Sequence, residues 1–421
     1  MDILECMFCK KRYPLDVFSP FCPECREPMF FARARGQRQI KTDEKHPLER
    51  YLDFLPLERV DTNLSLGEGN TPLVKLNKVG GLDGLPLTYA KFEAQNPTLS
   101  FKDRGTSVAV QKAVSLGFSR IGTVSTGNMA ASTAAYGARA SLETTVLLKE
   151  ETSLPSLLAA GIFGPRLVRV KGDYGRLFYQ SLEIGKKLGI YFMNSIDPVR
   201  VEGYKITGFE IFQGLGRRAP DYVFVPLSSG GHLIGLMRSF EDLLEEGFLH
   251  RFPTIVGVQA EGCAPLARAF AAGHSRYTRL DRTQTIAHAI SNPAPPGGNV
   301  VLKMVREHDG LILSVPDDEI LAAQRMLASK EGLFCQPESA VTLAGLIQLS
   351  KDKKLPQEET AVLVLTGSGL KAPKALEAHS LRVEEAELAG LEKKLESGFI
   401  PWISCVKIKK TSIQQGGQNE R

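Results

Sequence analysis

A chain of 421 residues is longer than one hydrophobic core usually serves, so two packed domains with a cleft between them are expected. With 43% hydrophobic and 24% charged residues, extensive disorder is excluded, and a formal charge of +5 over this length offers no basic face for nucleic acid. No run approaches the roughly eighteen apolar residues a membrane span needs, and no charged-then-apolar segment opens the chain, so a cytoplasmic protein without a membrane partner is expected.

Residues 1–30 are rich in Cys, Pro and aromatics, with Cys6-x-x-Cys9 and Cys22-x-x-Cys25 separated by twelve residues. Two such turns can supply four thiolates to one tetrahedral zinc, which would replace the core that so short a segment cannot build. A ribbon-like zinc segment is the expectation. A remnant that no longer binds metal and a nucleic-acid-binding ribbon are the alternatives, the latter resting only on Lys10, Lys11 and Arg12. Seven cysteines, four of them clustered, argue against a secreted disulfide framework, and Cys263, Cys335 and Cys405 read as buried thiols or bystanders.

Residues 31–60 are charged and aperiodic and read as a linker. From Leu87 onward, short apolar runs (LTYAKFE, RIGTVS, TTVLLKE, RLVRVKG, IYFMNS) alternate with helical patterns such as SVAVQKAVSLG and YGRLFYQSLEIGKKLG. A helix is expected around Gly208 to Arg217, and the rhythm resumes with YVFVPLSS, TIVGVQAEG, LILSV and AVLVLTGSG. This is the signature of an α/β fold with two open, mostly parallel sheets flanked by helices and ligands at the carboxyl ends of the strands. The expected division is a large domain of residues 61–95 and 205–375, a small domain of 96–204, and a charged helical extension with a polar tail over 376–421. The basic run Lys407 to Lys410 reads as part of that solvated tail.

Asn96-Pro97-Thr98-Leu99-Ser100-Phe101-Lys102-Asp103-Arg104-Gly105 follows a predicted strand and opens a predicted helix. A lysine at that point feels the positive helix end, and partial burial lowers its pKa further, favouring the neutral amine that attacks an aldehyde. Ser125-Thr126-Gly127-Asn128 joins another strand to another helix, where amides and hydroxyls suit a carboxylate. Ser228-Ser229-Gly230-Gly231-His232 lets backbone amides and a helix dipole approach a dianionic phosphate. Taken singly, each is also an ordinary helix start.

Taken in order, SFKDRG after NPT, then the asparagine loop, then the glycine loop, resemble the fold-type II pyridoxal-phosphate enzymes related to tryptophan synthase beta, and the threonine synthases in particular. The resemblance runs from about residue 64 to 372 and includes Leu66-Gly67-Glu68-Gly69-Asn70-Thr71-Pro72-Leu73 and Gln336-Pro337-Glu338-Ser339-Ala340. It implies that Lys102 holds the cofactor and shuttles protons, and that Asn128 bonds the cofactor's ring oxygen. It further implies that Ser125 and Thr126 grip the substrate carboxylate, that Ser228, Ser229, Gly230, Gly231 and His232 surround the cofactor phosphate, and that Thr366 lies beside the pyridine nitrogen. Ser228, Ser229 and His232 depart from the family's usual loop, which is richer in Gly and Asn.

Asn194-Ser195-Ile196-Asp197-Pro198-Val199-Arg200 resembles the threonine synthase stretch whose Asn, Ser and Arg bind the phosphate of O-phosphohomoserine. Arginine suits that task because its planar fork donates paired hydrogen bonds along with charge. The implied activity is a lyase of threonine biosynthesis that turns O-phosphohomoserine and water into threonine and phosphate, acting as a homodimer on a small phosphorylated amino acid. The alternatives are a threonine or serine ammonia-lyase or an O-phosphoserine-using cysteate synthase on the same fold, and an inactive zinc-ribbon binding protein.

Overall fold

The computed structural model describes residues 2–396 apart from 33–35, 80–84, 151, 153, 173, 354 and 380–384. Among the described residues, thirteen strands fall into three sheets. A small antiparallel sheet of β1 (Ile3–Cys6), β2 (Arg12–Pro14) and β3 (Met29–Phe31) carries the paired cysteines, in the order β2-β1-β3.

The largest sheet contains β4 (Leu73–Lys75), β5 (Leu87–Phe92), β10 (Tyr222–Pro226), β11 (Thr254–Ala260), β12 (Leu311–Val315) and β13 (Thr360–Leu365). Its order is β12-β11-β10-β13-β5-β4, parallel except where β4 runs against β5. Near-continuous apolar runs such as YVFVP and TAVLVL are what a sheet covered on both faces requires. The third sheet is parallel and contains β6 (Arg120–Val124), β7 (Glu143–Lys149), β8 (Arg166–Val170) and β9 (Tyr191–Phe192), in the order β8-β7-β6-β9. The two parallel sheets are therefore not strictly in series, because β4 and β5 join strands from the far end of the chain.

The helices are α1 (Pro47–Arg50), α2 (Lys102–Ser115), α3 (Asn128–Arg139), α4 (Leu154–Gly161), α5 (Tyr174–Leu188), α6 (Pro198–Gly214), α7 (Gly231–Glu245), α8 (Pro265–Ala271), α9 (Gly298–Glu307), α10 (Asp317–Glu331) and α11 (Pro337–Lys353). The helix expected from Gly208 begins instead at Pro198, so Arg200 lies in its first turn. The cause is local: the Asp197 side chain caps the start by accepting the Arg200 amide at 2.9 Å, and Pro198 occupies the first helical position, where its missing N–H costs nothing.

Helix α6 is buried from Pro198 to Phe212 and is the hub of the molecule. Its close contact with α2 depends on glycine: a Cβ at Gly105 would stand 2.5 Å from the Tyr204 ring, and one at Gly203 would stand 2.4 Å from the Arg104 carbonyl. Residues expected to form a linker are packed against this hub. Tyr51 and Phe54 pack tilted against Phe209 with ring centroids at 5.0 and 4.9 Å, and Arg38 pairs with Asp242 and Glu246 of and beside α7 at 2.9 and 2.7 Å.

Residues Lys374–Arg421 form a separate unit in which, among the described residues, Leu391–Glu396 is helical. The expected tail, with Lys407 to Lys410 and Cys405, lies outside the described residues. Among the described residues no helix is long and apolar enough to cross a membrane.

Candidate active site

The site is built at the start of α2. Leu99 takes a left-handed conformation (φ 61°), and the turn it makes is tied to the end of β13: the Phe101 amide donates to the Thr366 carbonyl, and the Ser368 amide to the Leu99 carbonyl, each at 3.0 Å. Asp103 fastens the other side, accepting the Thr98 amide and hydroxyl at 2.6 Å each. Lys102 is thereby presented at the first position of α2, its amine 4.3 Å from the Phe101 ring and 5.8 Å from the Tyr204 ring. Burial pushes its pKa down and the neighbouring Arg200 pushes the same way, opposed by Tyr204, so the neutral amine is more accessible than on a surface lysine.

Thr366 stands beside this turn, its hydroxyl 3.0 Å from that of Ser339. Asn128, first residue of α3, reaches across from the other parallel sheet and donates to the Gln336 side chain at 2.8 Å, while the Gln336 amide donates to Gly367 at 2.9 Å. Lys102, Asn128 and Thr366 thus share one edge. Ser125 and Thr126 lie in the loop leading to Asn128 and are partly exposed, with the Ser125 hydroxyl accepting the Gly127 amide at 3.3 Å.

The glycine turn arrives from a third direction. Gly230 is left-handed (φ 99°), and a Cβ on Gly231 would fall 2.5 Å from the Ser195 carbonyl, so only glycine lets Ser228–Gly231 and the Ser195 segment meet. Ser228 is partly exposed there. The Ser229 carbonyl accepts the Gly297 amide and its hydroxyl accepts from Asn292, both at 3.0 Å. His232 stacks on Phe101 with ring centroids 3.9 Å apart, which seats the start of α7 directly against the Lys102 turn. Burial holds the His232 pKa near about 3, so its ring is neutral.

These groups fit pyridoxal phosphate. The amides of the first turn of α7 have no intrahelical partners and form the positive end of its dipole, which suits a phosphate. Both His232 ring nitrogens and the Ser100 hydroxyl are buried without a hydrogen-bond partner among the described residues, which leaves polar atoms for a polar guest.

Arg200 is fully buried. It donates to the Thr106 hydroxyl at 2.8 Å and lies 3.4 Å from the Tyr204 hydroxyl, the Thr133 hydroxyl and the Met193 carbonyl, with no carboxylate on its guanidinium among the described residues. The Asn194 side chain, two residues after β9, accepts the Val124 amide through its carbonyl and donates through its amide nitrogen to Ser181, each at 2.9 Å, which clips β6 to α5.

At the other end of the chain the four sulfurs of Cys6, Cys9, Cys22 and Cys25 lie within 4.8 Å of one another, with Cys9 and Cys22 3.7 Å apart. A tetrahedral ion with metal–sulfur bonds of about 2.3 Å separates its thiolates by about 3.8 Å. The two turns are alike, with Lys10 and Arg26 both left-handed (φ 60° and 57°) and donating their amides to the Cys6 and Cys22 carbonyls at 2.9 and 2.8 Å. Cys263 and Cys335 are buried thiols whose pKa burial raises.

Sequence reasoning missed the charge cluster behind the lysine. Arg104 is fully buried and pairs with Glu93 at 2.6 Å and Glu210 at 2.7 Å, and Lys91 reaches Glu210 at 2.6 Å. It also missed the loop of residues 292–297 against the glycine turn, although Pro295-Pro296-Gly297-Gly298 at the start of an amphipathic helix was a readable signal.

Residues 64–367 match the family model described as pyridoxal-phosphate dependent enzyme. The threonine synthase of Methanocaldococcus jannaschii is 35% identical over 378 residues, covering 88% of this chain and 93% of the relative. The chain belongs to the threonine synthases. That of Halalkalibacterium halodurans is 37% identical over 327 residues, or 77% of this chain and 89% of the relative. The processed form of threonine deaminase isoform 2 from Solanum lycopersicum superposes with a TM-score of 0.64 at 20% identity, covering 83% and 98% of the two chains, which places the fold among the fold-type II enzymes. This threonine synthase family member is accordingly a pyridoxal-phosphate-dependent lyase acting on a small amino-acid substrate.

Proposed function

We propose that the chain converts O-phospho-L-homoserine and water into L-threonine and phosphate, with Lys102 holding the cofactor and Arg200 holding the substrate phosphate. The observation that carries the reading is a buried Arg200, with no carboxylate on its guanidinium among the described residues, on the helix beside that of Lys102. An ammonia-lyase has no use for such a cation, since its substrate carries no phosphate.

When bound, the cofactor withdraws electrons from the amino-acid carbons joined to it. The chain's own residues supply position and protons. Lys102 removes protons at the alpha and beta carbons and returns them at the gamma and alpha carbons, for which a lowered pKa is suited. Arg200, with Ser195 beside the glycine turn, balances charge as phosphate departs from the gamma carbon, and water adds at the beta carbon. Asn128 and the loop before it, with Ser125 and Thr126, orient ring and carboxylate. Thr366 offers a neutral hydroxyl where an acidic residue would keep a ring proton, which moderates electron withdrawal and favours elimination and replacement over transamination. His232, neutral and stacked on Phe101, closes the wall next to the Ser228–Gly231 turn.

The same reading assigns one structural zinc to Cys6, Cys9, Cys22 and Cys25, supported by their mutual spacing. It places the catalytic cleft between a domain of residues 61–95 and 205–375 and one of residues 96–204, as the membership of the two parallel sheets suggests.

The test is phosphate release from O-phosphohomoserine beside O-phosphoserine, with the product identified by chromatography. Threonine from the four-carbon substrate, with little turnover of the three-carbon one, is expected. Preference for O-phosphoserine would transfer the assignment to a cysteate-type synthase.

A further inference from the structure

The paired-cysteine turns and the glycine turn before α7 are joined by an unbroken series of contacts. Glu27 follows the second cysteine turn, and its carbonyl accepts the Cys22 amide at 2.8 Å. Its carboxylate is only 5% exposed and accepts from Asn299 and from Arg276, each at 2.9 Å. The Arg276 guanidinium lies 5.6 Å over the ring of Phe8, inside the first cysteine turn, so both turns grip the same fastening.

Asn299 is the second residue of α9 and also accepts the Tyr277 amide at 3.2 Å. Immediately before that helix, Gly297 donates to the Ser229 carbonyl at 3.0 Å and backs directly onto Gly230, whose added Cβ would stand 3.2 Å from the Gly297 carbonyl carbon. Asn292, in the same loop, holds the Ser229 hydroxyl at 3.0 Å. A shift of the cysteine turns would therefore be felt through Glu27 and Asn299 at the floor of the glycine turn. A buried carboxylate with two donors is a stiff connection, because separating it strands polar groups away from water.

We propose that Glu27 is a positioning residue for cofactor binding: it connects the four-cysteine metal site, through Asn299 and the start of α9, to the glycine turn, so that metal and pyridoxal phosphate bind with positive coupling. By linkage the coupling is reciprocal. The inference rests on the reading that this turn cages the cofactor phosphate.

The experiment uses the full-length protein, with cofactor affinity read by absorbance titration and zinc by metal analysis. Glu27→Ala is expected to weaken pyridoxal-phosphate binding roughly tenfold while zinc stays at the level of the unaltered chain. Glu27→Gln, which keeps an oxygen acceptor for Asn299, is expected to bind both normally. Asn299→Ala, which leaves the cysteine segment intact, is expected to reproduce the loss. Chelating the metal should weaken cofactor binding in the unaltered protein and add little in Glu27→Ala. Unchanged cofactor affinity in Glu27→Ala or in Asn299→Ala overturns the proposal, as does loss of zinc in parallel with cofactor. Gly230→Ala separates the two readings: if it leaves cofactor binding intact, the phosphate cage lies elsewhere, and if it weakens binding while Glu27→Ala does not, only the coupling fails.

Discussion

Lys102 and Arg200 stand on neighbouring helices, Arg200 adding to the burial that depresses the Lys102 pKa, and no carboxylate pairs with either side chain among the described residues. Burying like charges without a counter-ion is costly, so the arrangement suits a pocket in which an anionic ligand supplies the missing charge. The Thr106 hydroxyl ties the two together, accepting from Arg200 and donating to the Lys102 carbonyl, both at 2.8 Å.

Arg200→Ala is expected to raise KM for the phosphorylated substrate by the equivalent of about 1–3 kcal/mol, the worth of a charged hydrogen bond. Arg200→Lys should recover part of it, since an ammonium restores charge without the planar fork. Steady-state kinetics with competing inorganic phosphate measure both. Equal constants in all three proteins would move the phosphate site away from α6.

Glu210 serves Arg104, Lys91 and the Asn70 amide at once, the last at 2.7 Å. Neighbouring cations hold its pKa well below the usual carboxylate range, against burial. Glu210→Gln removes the charge that Arg104 and Lys91 share, and a loss of about 3–5 kcal/mol of stability is expected from urea titration. A loss below about 1 kcal/mol would show that water or a rearranged Glu93 replaces it.

His232 sets a pH dependence. Its folded pKa near about 3 lies below the roughly 6.5 of an unfolded histidine, so between those values the unfolded chain binds a proton that the folded chain refuses. Stability therefore falls as pH drops through about 6.5, by about 2 kcal/mol at pH 5, and the loss levels off below the folded pKa. His232→Phe, close in volume and able to stack on Phe101, should flatten that part of the pH profile; an unchanged slope between pH 8 and pH 5 would assign it to other groups.

Metal analysis should find close to one zinc per chain, and Cys22→Ser should lose it. Retention of full zinc by that variant would remove Cys22 from the ligand set.

The strands were legible because the parallel sheets are covered on both faces: YVFVP, TIVGVQA and TAVLVL have no polar alternation to obscure them. The Lys102 turn and the glycine turn, ordinary helix starts when taken singly, were legible because their order along the chain resembles that of a known family. Lys91 and Arg104 were not, since a lone basic residue in a strand or helix reads as solvated, and only the fold brings Glu93 and Glu210 to them from other elements. The early start of α6 was written in Asp197-Pro198 but masked by the glycines at 203 and 208, which serve close helix packing rather than breaking the helix. The clamping of Asn194 by Val124 and Ser181 depends on partners distant in sequence.

The most direct test of the account is borohydride reduction of the cofactor-loaded protein followed by peptide mass mapping. Stable addition of the pyridoxyl group to a single site, Lys102, is predicted, with Lys102→Ala left unlabelled and colourless. Labelling at another lysine, or a coloured and active Lys102→Ala protein, would contradict it.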